Sequence, residues 1–224
     1  MNTLNTLPNT PCHLNGLTLP LNEAKVSVMD RGFIFGDGIY EVAPVYQGKL
    51  FRFEQHMARM ARSLAELRIP NPHTETGWRA LIQDLLQQHA QSLGQSVSEL
   101  NQIVYIQITR GVAPRDHAMP AGLTPTVFVM VNEMKPIAAK DRDNGVACVS
   151  AEDFRWEKAH IKSTSLLGAV FSRQISADVG ALETVMFRHG FLSEAAASNV
   201  WVVKNGQVFG PPKTTWCSRA SAMV

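Results

Sequence analysis

The sequence is poor in the features that mark export, membranes or structural metals. Its three cysteines, Cys12, Cys148 and Cys217, are widely spaced and odd in number, which argues against a disulfide framework and against a metal site. No apolar run approaches the roughly 20 residues of a membrane span. The polar start MNTLNTLPNT has neither the charged nor the apolar region of a signal peptide. We therefore expect a cytoplasmic protein that contacts no membrane.

An excess of either charge is also missing. The 21 lysine and arginine residues nearly balance the 19 acidic residues, and the net charge is +2. Nucleic acid and anionic membranes are therefore not expected as partners, whereas a small neutral or zwitterionic ligand is compatible with this balance. With 224 residues, 45% of them hydrophobic, the chain is long enough for one large or two small domains with a buried core.

Hydrophobic periodicity and turn dipeptides predict a mixed α/β or α+β chain. Helices are predicted over 53–69, where Pro70 is the stop, over 75–93 and over 165–180. Hairpin turns are predicted at Asn15-Gly16, Gln47-Gly48, His189-Gly190 and Asn205-Gly206. Further strands are predicted over 24–30, 102–111, 125–134 and 145–154. Because strands and helices do not alternate regularly, a doubly wound parallel sheet or a complete TIM barrel is disfavoured.

A candidate linker follows the last strand of the first half. Lys135-Pro136 comes directly after the β-rich run that ends at Met134, and proline punctuates such connections. We place a domain boundary between 133 and 138. This predicts a small N-terminal α/β domain over 1–133 and a second domain over 138–224.

The segment WEKAHIKSTSLLGAV carries Lys162 among small hydroxyl residues, just before an apolar run. A lysine amine attacks an aldehyde only when it is neutral. A pocket that excludes water or holds another positive charge lowers the pKa of the amine enough to allow this. The flanks of Lys162 are compatible with such a pocket. The alternative is a lysine that reaches for solvent at a helix start, which is the commoner role of this residue type.

The segment DRGFIFGDGIYEV holds three glycines, but their spacing fits neither a dinucleotide-binding loop nor a P-loop. We interpret them as positions where the backbone turns tightly. Tyr40 then stands at the start of a strand. Its hydroxyl is available either to meet a ligand or to cap the sheet, and the sequence favours neither role.

Two further segments place arginine beside histidine. In FEQHMARM, His56 and Arg59 are three residues apart and share a helix face, where the arginine either clamps a phosphate or lines a solvated surface. In APRDHAMP, Arg115 and His117 are separated by one residue in a predicted loop. In an extended segment they point the same way and together could bind a carboxylate, although an ordinary polar loop has the same composition.

In GFLSEAAASNVW, Glu194 lies among small and apolar residues. An ionised carboxylate in such surroundings needs a partner. A cofactor nitrogen that must stay protonated is one candidate partner, and the alternative is a carboxylate that caps a turn.

Taken together, DRGFIFGDGIYEV, HMARM, TRGVAPRDH, IKSTSLLG and EAAASNV resemble the class IV pyridoxal-phosphate aminotransferases, which share fold type IV. The resemblance runs from about HLNGLTLP to GPPK and is greatest to the D-amino-acid aminotransferase branch. Branched-chain aminotransferase and aminodeoxychorismate lyase are the other branches. The family fold implies a small N-terminal α/β domain, a larger C-terminal pseudo-barrel domain and a homodimer.

The resemblance assigns a role to each candidate residue. It implies that Lys162 forms the Schiff base with pyridoxal 5′-phosphate and moves the substrate Cα proton. It further implies that Arg59 holds the cofactor phosphate and that Glu194 pairs with the pyridine nitrogen. The remaining implied roles are cofactor binding for Ser198 and Asn199, which follow three alanines, and capture of the substrate carboxylate for Tyr40, Arg115 and His117. No metal is implied.

The reaction implied by the resemblance is transamination between a D-amino acid of the D-alanine type and a 2-oxo acid, such as 2-oxoglutarate or pyruvate. Three alternatives remain open: branched-chain L-amino-acid transamination, aminodeoxychorismate cleavage, and an inactive truncated remnant or cofactor-free binding module. Small amino acids and oxo acids are the expected partners, with no nucleic acid.

The segment after GPPK departs from the family. Relatives continue with a segment like NHLVLEGIRYG, whereas this chain reads TTWCSRASAMV. One choice of codons for this tail, read in another frame, gives the family segment. We therefore hypothesise that the tail from about Thr214 is out of frame and the second domain incomplete, and we expect the chain to be poorly soluble or inactive.

Overall fold

A computed structural model describes residues 7–210 of the chain. The chain divides into two compact units, Met1–Lys135 and Pro136–Val224, here called the N-terminal and C-terminal units. Both contain helices and strands, so the prediction of a mixed fold is confirmed. The hypothesis about the tail from Thr214, and Cys217 with it, lies outside the described residues.

The N-terminal unit is built on one antiparallel sheet of six strands. These are β1 (Pro11–Leu14), β2 (Leu17–Pro20), β3 (Gly38–Tyr46), β4 (Lys49–Leu50), β5 (Asn101–Thr109) and β6 (Thr126–Glu133). Their order across the sheet is β2-β1-β6-β5-β3-β4. Successive side chains along a strand face opposite sides. On β3, Glu41 is therefore buried on one face while the half-buried Tyr40 lies on the other.

The two predicted helices of this unit are confirmed. They are α2 (Phe53–Glu66), which contacts β3, and α3 (Glu75–Ser92), which contacts β1 and β6. Their apolar side chains, spaced for one helix face, fill the core against the sheet. Trp78 and Leu64 are each 1% exposed. Helix α2 ends before Pro70 because Arg68 already adopts a left-handed backbone, with φ 54°.

All four predicted hairpin turns are present, two in each unit. Their paired φ values are 50° and 91° at Asn15-Gly16, 50° and 76° at Gln47-Gly48, 52° and 80° at His189-Gly190, and 52° and 73° at Asn205-Gly206. Positive φ at both central residues is what a two-residue type I′ turn requires. Glycine at the second position meets this requirement without a steric penalty.

The predicted strand over 24–30 is wrong. Its alternating apolar residues are not buried, since Val26 is 53% and Val28 71% exposed. The segment ends instead in a short helix, α1 (Arg31–Phe35), that the periodicity did not indicate. Asp30 starts this helix because its Oδ1 accepts from the Gly32 amide at 2.7 Å and its Oδ2 accepts from the Thr126 hydroxyl at 2.6 Å.

The C-terminal unit contains a three-stranded sheet and a separate hairpin. After α4 (Ala139–Asn144), the elements are β7 (Cys148–Glu152), α5 (Leu167–Asp178), β8 (Glu183–Arg188), β9 (Phe191–Ala195), β10 (Val202–Lys204) and β11 (Gln207–Phe209). Strand β7 is parallel to β8, which is antiparallel to β9. Helix α5 makes the crossover that parallel neighbours need. Within residues 7–210, no helix is long and apolar enough to cross a membrane.

Candidate functional site

Lys162 lies in the loop between β7 and α5 and is half-buried. Its neighbours Ile161 and Ser163 are buried at 7% and 5% exposure. The loop is tightly folded here, because the Ser163 amide donates to the Ile161 carbonyl at 2.8 Å and the Ser163 hydroxyl accepts from the Ser165 amide at 3.0 Å. Helix α5 begins only at Leu167. The structure therefore places Lys162 in a folded loop, ahead of the first turn of α5.

Glu194 lies on β9 and is 7% exposed. Its Oε2 accepts a hydrogen bond from Nη1 of Arg155 at 2.7 Å. The expectation that this carboxylate needs a charged or polar partner is therefore met from the loop that follows β7. Sequence reasoning missed Arg155, because 39 residues separate the two partners and no local spacing connects them.

Arg155 also holds a second carboxylate, that of Asp153. Its Nε and Nη2 donate to the two oxygens of Asp153 at 3.0 Å each, and Arg188 donates from Nη2 to the Arg155 carbonyl at 2.6 Å. Burial alone would raise the pKa of Asp153, but the hydrogen bonds and charge of Arg155 lower it overall. Burial opposes the charge of Arg155 as well, yet the two carboxylates raise its pKa. Asp153 and Arg155 therefore stay ionised at neutral pH.

In the N-terminal unit, Arg59 and His56 share a helix face, as predicted, and both contact Glu41 of β3. Arg59 donates from Nε to Glu41 Oε2 at 2.8 Å and from Nη2 to Oε1, while His56 Nδ1 lies 3.0 Å from Oε1. Burial would raise the pKa of Glu41, but the hydrogen bonds and charges of Arg59 and His56 outweigh it and lower the pKa to about 2. Glu41 was missed because YEV reads as an ordinary strand.

Tyr40 stands at the start of β3, as predicted, on the face opposite Glu41. Its ring stacks on Tyr105 with 5.9 Å between centroids. The Tyr105 hydroxyl donates to Gln107 at 2.7 Å, and burial, with a smaller contribution from Tyr40, raises the pKa of Tyr105 to about 12. The Tyr105 hydroxyl beside Tyr40 therefore stays neutral at physiological pH.

Arg115 and His117 lie in the loop between β5 and β6, and both contact the ring of Phe35. The Arg115 guanidinium carbon is 5.5 Å from the centroid of that ring, and the His117 ring is 5.4 Å away. The loop is anchored where Arg31 donates from Nη1 to the Asp116 carbonyl at 2.6 Å. The structure therefore brings Arg115 and His117 together, with Phe35 rather than an extended backbone as the common support.

A buried ion cluster joins three of the sequence motifs. Arg31 of DRG donates to Asp37 of GDG at 2.7 Å, and Arg110 of TRG binds both oxygens of Asp37 at 2.7 and 2.9 Å. Burial would raise the pKa of Asp37, but the two arginines lower it overall. Through Arg31 the cluster also fixes the loop that carries Arg115, so these motif residues support the candidate substrate site without contacting it.

Ser198 and Asn199 are exposed in the turn after β9. The Ser198 hydroxyl donates to Glu183 at 2.7 Å, and the Ser198 carbonyl accepts from the Ala195 amide at 3.1 Å. These contacts hold the turn next to Glu194. Over residues 7–210, no group of three histidine, cysteine or acidic side chains is placed so that it could hold a metal ion.

Comparison with known proteins gives consistent matches. Residues 38–218 match the family model described as amino-transferase class IV. The D-alanine aminotransferase of Bacillus licheniformis is 36% identical over 202 residues, which cover 90% of this chain and 68% of that protein. The D-alanine aminotransferase of Staphylococcus haemolyticus is 35% identical over 91% of this chain and 69% of that protein.

Solved structures agree on the fold. A fold IV transaminase from Curtobacterium pusillum superposes with a TM-score of 0.77 at 21% identity, over 92% of this chain and 68% of that one. The branched-chain amino acid aminotransferase of Escherichia coli superposes with a TM-score of 0.78 at 20% identity, over 95% of this chain and 71% of that one. At these identities the likeness shows the fold alone, and it confirms the predicted fold type IV.

Proposed function

The chain belongs to the class IV aminotransferase family, and from this membership we propose that it transfers the amino group of a D-amino acid of the D-alanine type to a 2-oxo acid such as 2-oxoglutarate. The observation that carries the proposal is the 36% identity to a D-alanine aminotransferase over nine tenths of the chain. Pyridoxal 5′-phosphate is the proposed cofactor, because class IV aminotransferases use it. The proposed reaction is thus an exchange between two small zwitterionic or anionic substrates.

The side chains of the C-terminal unit fit this cofactor chemically. A half-buried amine, Lys162, and a buried carboxylate, Glu194, lie in the same unit. Pyridoxal phosphate, when bound, supplies an aldehyde for an amine and an electron-withdrawing ring. Lys162 would hold the aldehyde carbon and move the proton at the substrate Cα. Glu194 would keep the ring nitrogen protonated, and Ser198 and Asn199 would line the turn beside it.

Arg59 is the proposed phosphate ligand. Glu41 holds the guanidinium through Nε and Nη2, which fixes the plane of its fork before any ligand arrives. A fixed fork loses less entropy on binding a phosphate than a mobile one. Glu41 therefore supports Arg59 in this role.

Tyr40, Arg115 and His117 are proposed to bind the substrate carboxylate. Arg115 supplies a charged donor and His117 a ring N–H beside it, and both are held against Phe35. Replacement of Arg115 by methionine is expected to raise KM for D-alanine about tenfold or more, because a charge-assisted hydrogen bond to a carboxylate is lost. An unchanged KM would remove Arg115 from the proposal.

Two further branches of the family remain as second candidates, because the structural neighbours include branched-chain aminotransferases. Rates with D-alanine and with L-leucine, each with 2-oxoglutarate, separate the D-amino-acid reaction from the branched-chain reaction. Release of pyruvate from aminodeoxychorismate tests for the lyase reaction. Transamination of L-leucine without that of D-alanine would contradict the proposed function.

The direct test of cofactor attachment is borohydride reduction of the chain incubated with pyridoxal 5′-phosphate, followed by peptide mapping. A reduced pyridoxyl group on Lys162 is expected. Its absence would favour an inactive remnant or a binding module that uses no cofactor. A homodimer and a cytoplasmic location are also proposed. The molecular mass of the protein in solution, compared with that of one chain, tests the homodimer.

A further inference from the structure

A buried charge cluster in the C-terminal unit contains an arginine with no role in the assignments above. Arg155 donates from Nη1 to Glu194 at 2.7 Å and uses Nε and Nη2 to bind Asp153. We infer that Arg155 is the positioning residue that fixes the carboxylate of Glu194 toward the pyridine nitrogen. This inference rests on the proposed function.

Arg155 binds Asp153 and Glu194 through different nitrogen atoms. This arrangement explains how Arg155 can position Glu194 through a single hydrogen bond. Asp153 takes two of the donors in a bidentate pair, the geometry that orients a guanidinium most strictly. The plane of the guanidinium is thereby set before it meets Glu194. Nη1 then donates to Oε2, and this hydrogen bond uses one of the roughly four lone-pair sites of the carboxylate.

The charges of the cluster also support a positioning role for Arg155. An unpaired guanidinium beside Glu194 would compete with a protonated ring for the carboxylate. Here Asp153 offsets the charge of Arg155, and Arg188 lies 3.2 Å from Asp153 on its other side. Two carboxylates thus face two guanidiniums, so the formal charges of the group cancel and it carries no excess positive charge that would repel a protonated ring beside Glu194.

Arg155 also contacts the helix that closes the Lys162 loop. A Cβ added at Gly168, in the first turn of α5, would lie 3.1 Å from Arg155 Cγ and 3.5 Å from its Cα. The loop that carries Lys162 therefore starts beside Arg155 and returns to it at Gly168. Arg155 therefore lies against both Glu194 and the first turn of α5, which follows the loop that holds Lys162.

The test measures the affinity of the full chain for pyridoxal 5′-phosphate, by absorbance and fluorescence of the bound cofactor. R155M is expected to weaken binding about tenfold or more, by analogy with the loss of affinity when outer-shell partners of metal ligands are removed. The matched control is R142M, since Arg142 belongs to the same unit but pairs with Asp143 at 71% and 62% exposure. R142M is expected to bind as the unmodified chain does.

The same substitution made in the E194Q variant shows whether Arg155 acts by positioning Glu194 or only supports the fold. In E194Q the carboxylate that Arg155 orients is absent, so adding R155M is expected to change the affinity less than about twofold. If Arg155 only supported the fold, R155M would weaken cofactor binding by the same factor in the unmodified chain and in E194Q. That result would overturn the inference. Where circular dichroism shows that R155M is unfolded, R155K replaces it, because lysine keeps the charge but cannot hold Asp153 and Glu194 together.

The proposed function has a separate readout. Reductive trapping of the cofactor on Lys162 in the unmodified chain depends on the proposed function alone, and its failure would remove both proposals. Successful trapping together with unchanged affinity in R155M, or in R155K where that variant replaces it, would overturn this inference and leave the proposed function standing.

Discussion

The two units bury their apolar side chains to different extents. In the N-terminal unit, Phe53, Trp78 and Ile106 are almost wholly inaccessible to solvent. Among the described residues of the C-terminal unit, the buried apolar side chains are Ile161, Ala181, Met186, Ala195 and Ala196. Helix α5 shows the contrast most clearly, because its buried residues are Ser172 and Ser176 while Leu167 and Phe171 are 67% and 58% exposed.

The unit that buries more apolar surface is thus not the unit that carries Lys162 and Glu194. Burial of apolar surface is the dominant favourable term in folding, so we expect the N-terminal unit to be the more stable of the two. The C-terminal unit carries Lys162 and Glu194, the proposed cofactor residues, and it also contains the ion pairs of Asp153, Arg155 and Arg188. Functional segments are commonly drawn from the less stable part of a protein, and we expect the C-terminal unit to be that part of this chain.

The largest expected effect is on the transamination rate and comes from a substitution at Lys162, in the C-terminal unit. Lys162→Ala is expected to lower the rate of D-alanine transamination by at least about 10²–10⁴-fold, since a positioned proton-transfer group contributes that much. The stability of the N-terminal unit is expected to stay unchanged. Kinetics and urea unfolding measure the two quantities. The control is Lys158→Ala, which alters an exposed lysine of the same loop, and equal losses in both variants would contradict the assignment.

A second prediction tests whether a buried charge supports the N-terminal unit. Glu41→Gln is expected to lower its free energy of unfolding by about 3–5 kcal/mol, because the guanidinium of Arg59, whose side chain is only 14% exposed, loses its charged partner. Urea unfolding at pH 7 measures this. The matched control is Glu54→Gln, which removes a pair with Arg79 at the surface, where the two side chains are 64% and 38% exposed. A surface pair of this kind contributes little, so Glu41 and Glu54 variants of equal stability would contradict the prediction.

The same carboxylate gives the unit a pH dependence of known sign. The pKa of Glu41 is about 2 in the folded chain, below its ordinary value of 4.5. A lowered carboxyl pKa stabilises the folded state above the unfolded-state pKa. About 3 kcal/mol of stability is therefore expected above pH 4.5 and lost progressively as the pH falls toward 2. Unfolding midpoints measured across this range should lose that slope in Glu41→Gln, and a slope retained in the variant would contradict the assignment.

Hydrogen exchange compares the units without any substitution. Amides of β5 and β6, in the buried centre of the six-stranded sheet, are expected to exchange last. Amides of α5 and of the β10-β11 hairpin, where Val202, Val203 and Val208 are exposed, are expected to exchange first. Mass spectrometry of peptic peptides measures both sets. Equal protection in the two units would show that apolar burial does not rank them.

Local patterns predicted the elements well and the charge partners poorly. The hairpin turns and the helices α2, α3 and α5 depend on dipeptides and on a repeat of 3.6 residues, which neighbours along the chain specify. The strand predicted over 24–30 failed because alternation does not reveal which side of a segment is covered. Its apolar residues are exposed, and the buried Asp30 decides the local structure.

The site shows the same limit more sharply. Lys162, Glu194 and Arg59 could be selected from their residue types and flanks, and the motifs then supplied a family. Their partners Arg155 and Glu41 come from distant points of the chain, 39 and 18 residues away. Spacing carries no information on such pairs, whereas tertiary folding decides them.

The smallest expected effect concerns the end of α2. Arg68 is exposed and has φ 54°, a conformation that costs a side-chain-bearing residue about 1–2 kcal/mol and costs glycine little. Arg68→Gly is therefore expected to stabilise the N-terminal unit by up to about 1 kcal/mol, once the added freedom of glycine in the unfolded chain is counted.

The matched control makes the opposite change in the same helix. Arg62 is also exposed but lies in the interior of α2, where glycine destabilises by about 1 kcal/mol relative to alanine. Arg62→Gly is therefore expected to lower the free energy of unfolding while Arg68→Gly raises it, with both measured by urea at one pH. Changes of the same sign would show that the backbone angle at Arg68 does not govern the end of the helix. The carbonyl of Arg68 accepts from Arg110 at 3.3 Å, and this contact survives the substitution because it uses the main chain.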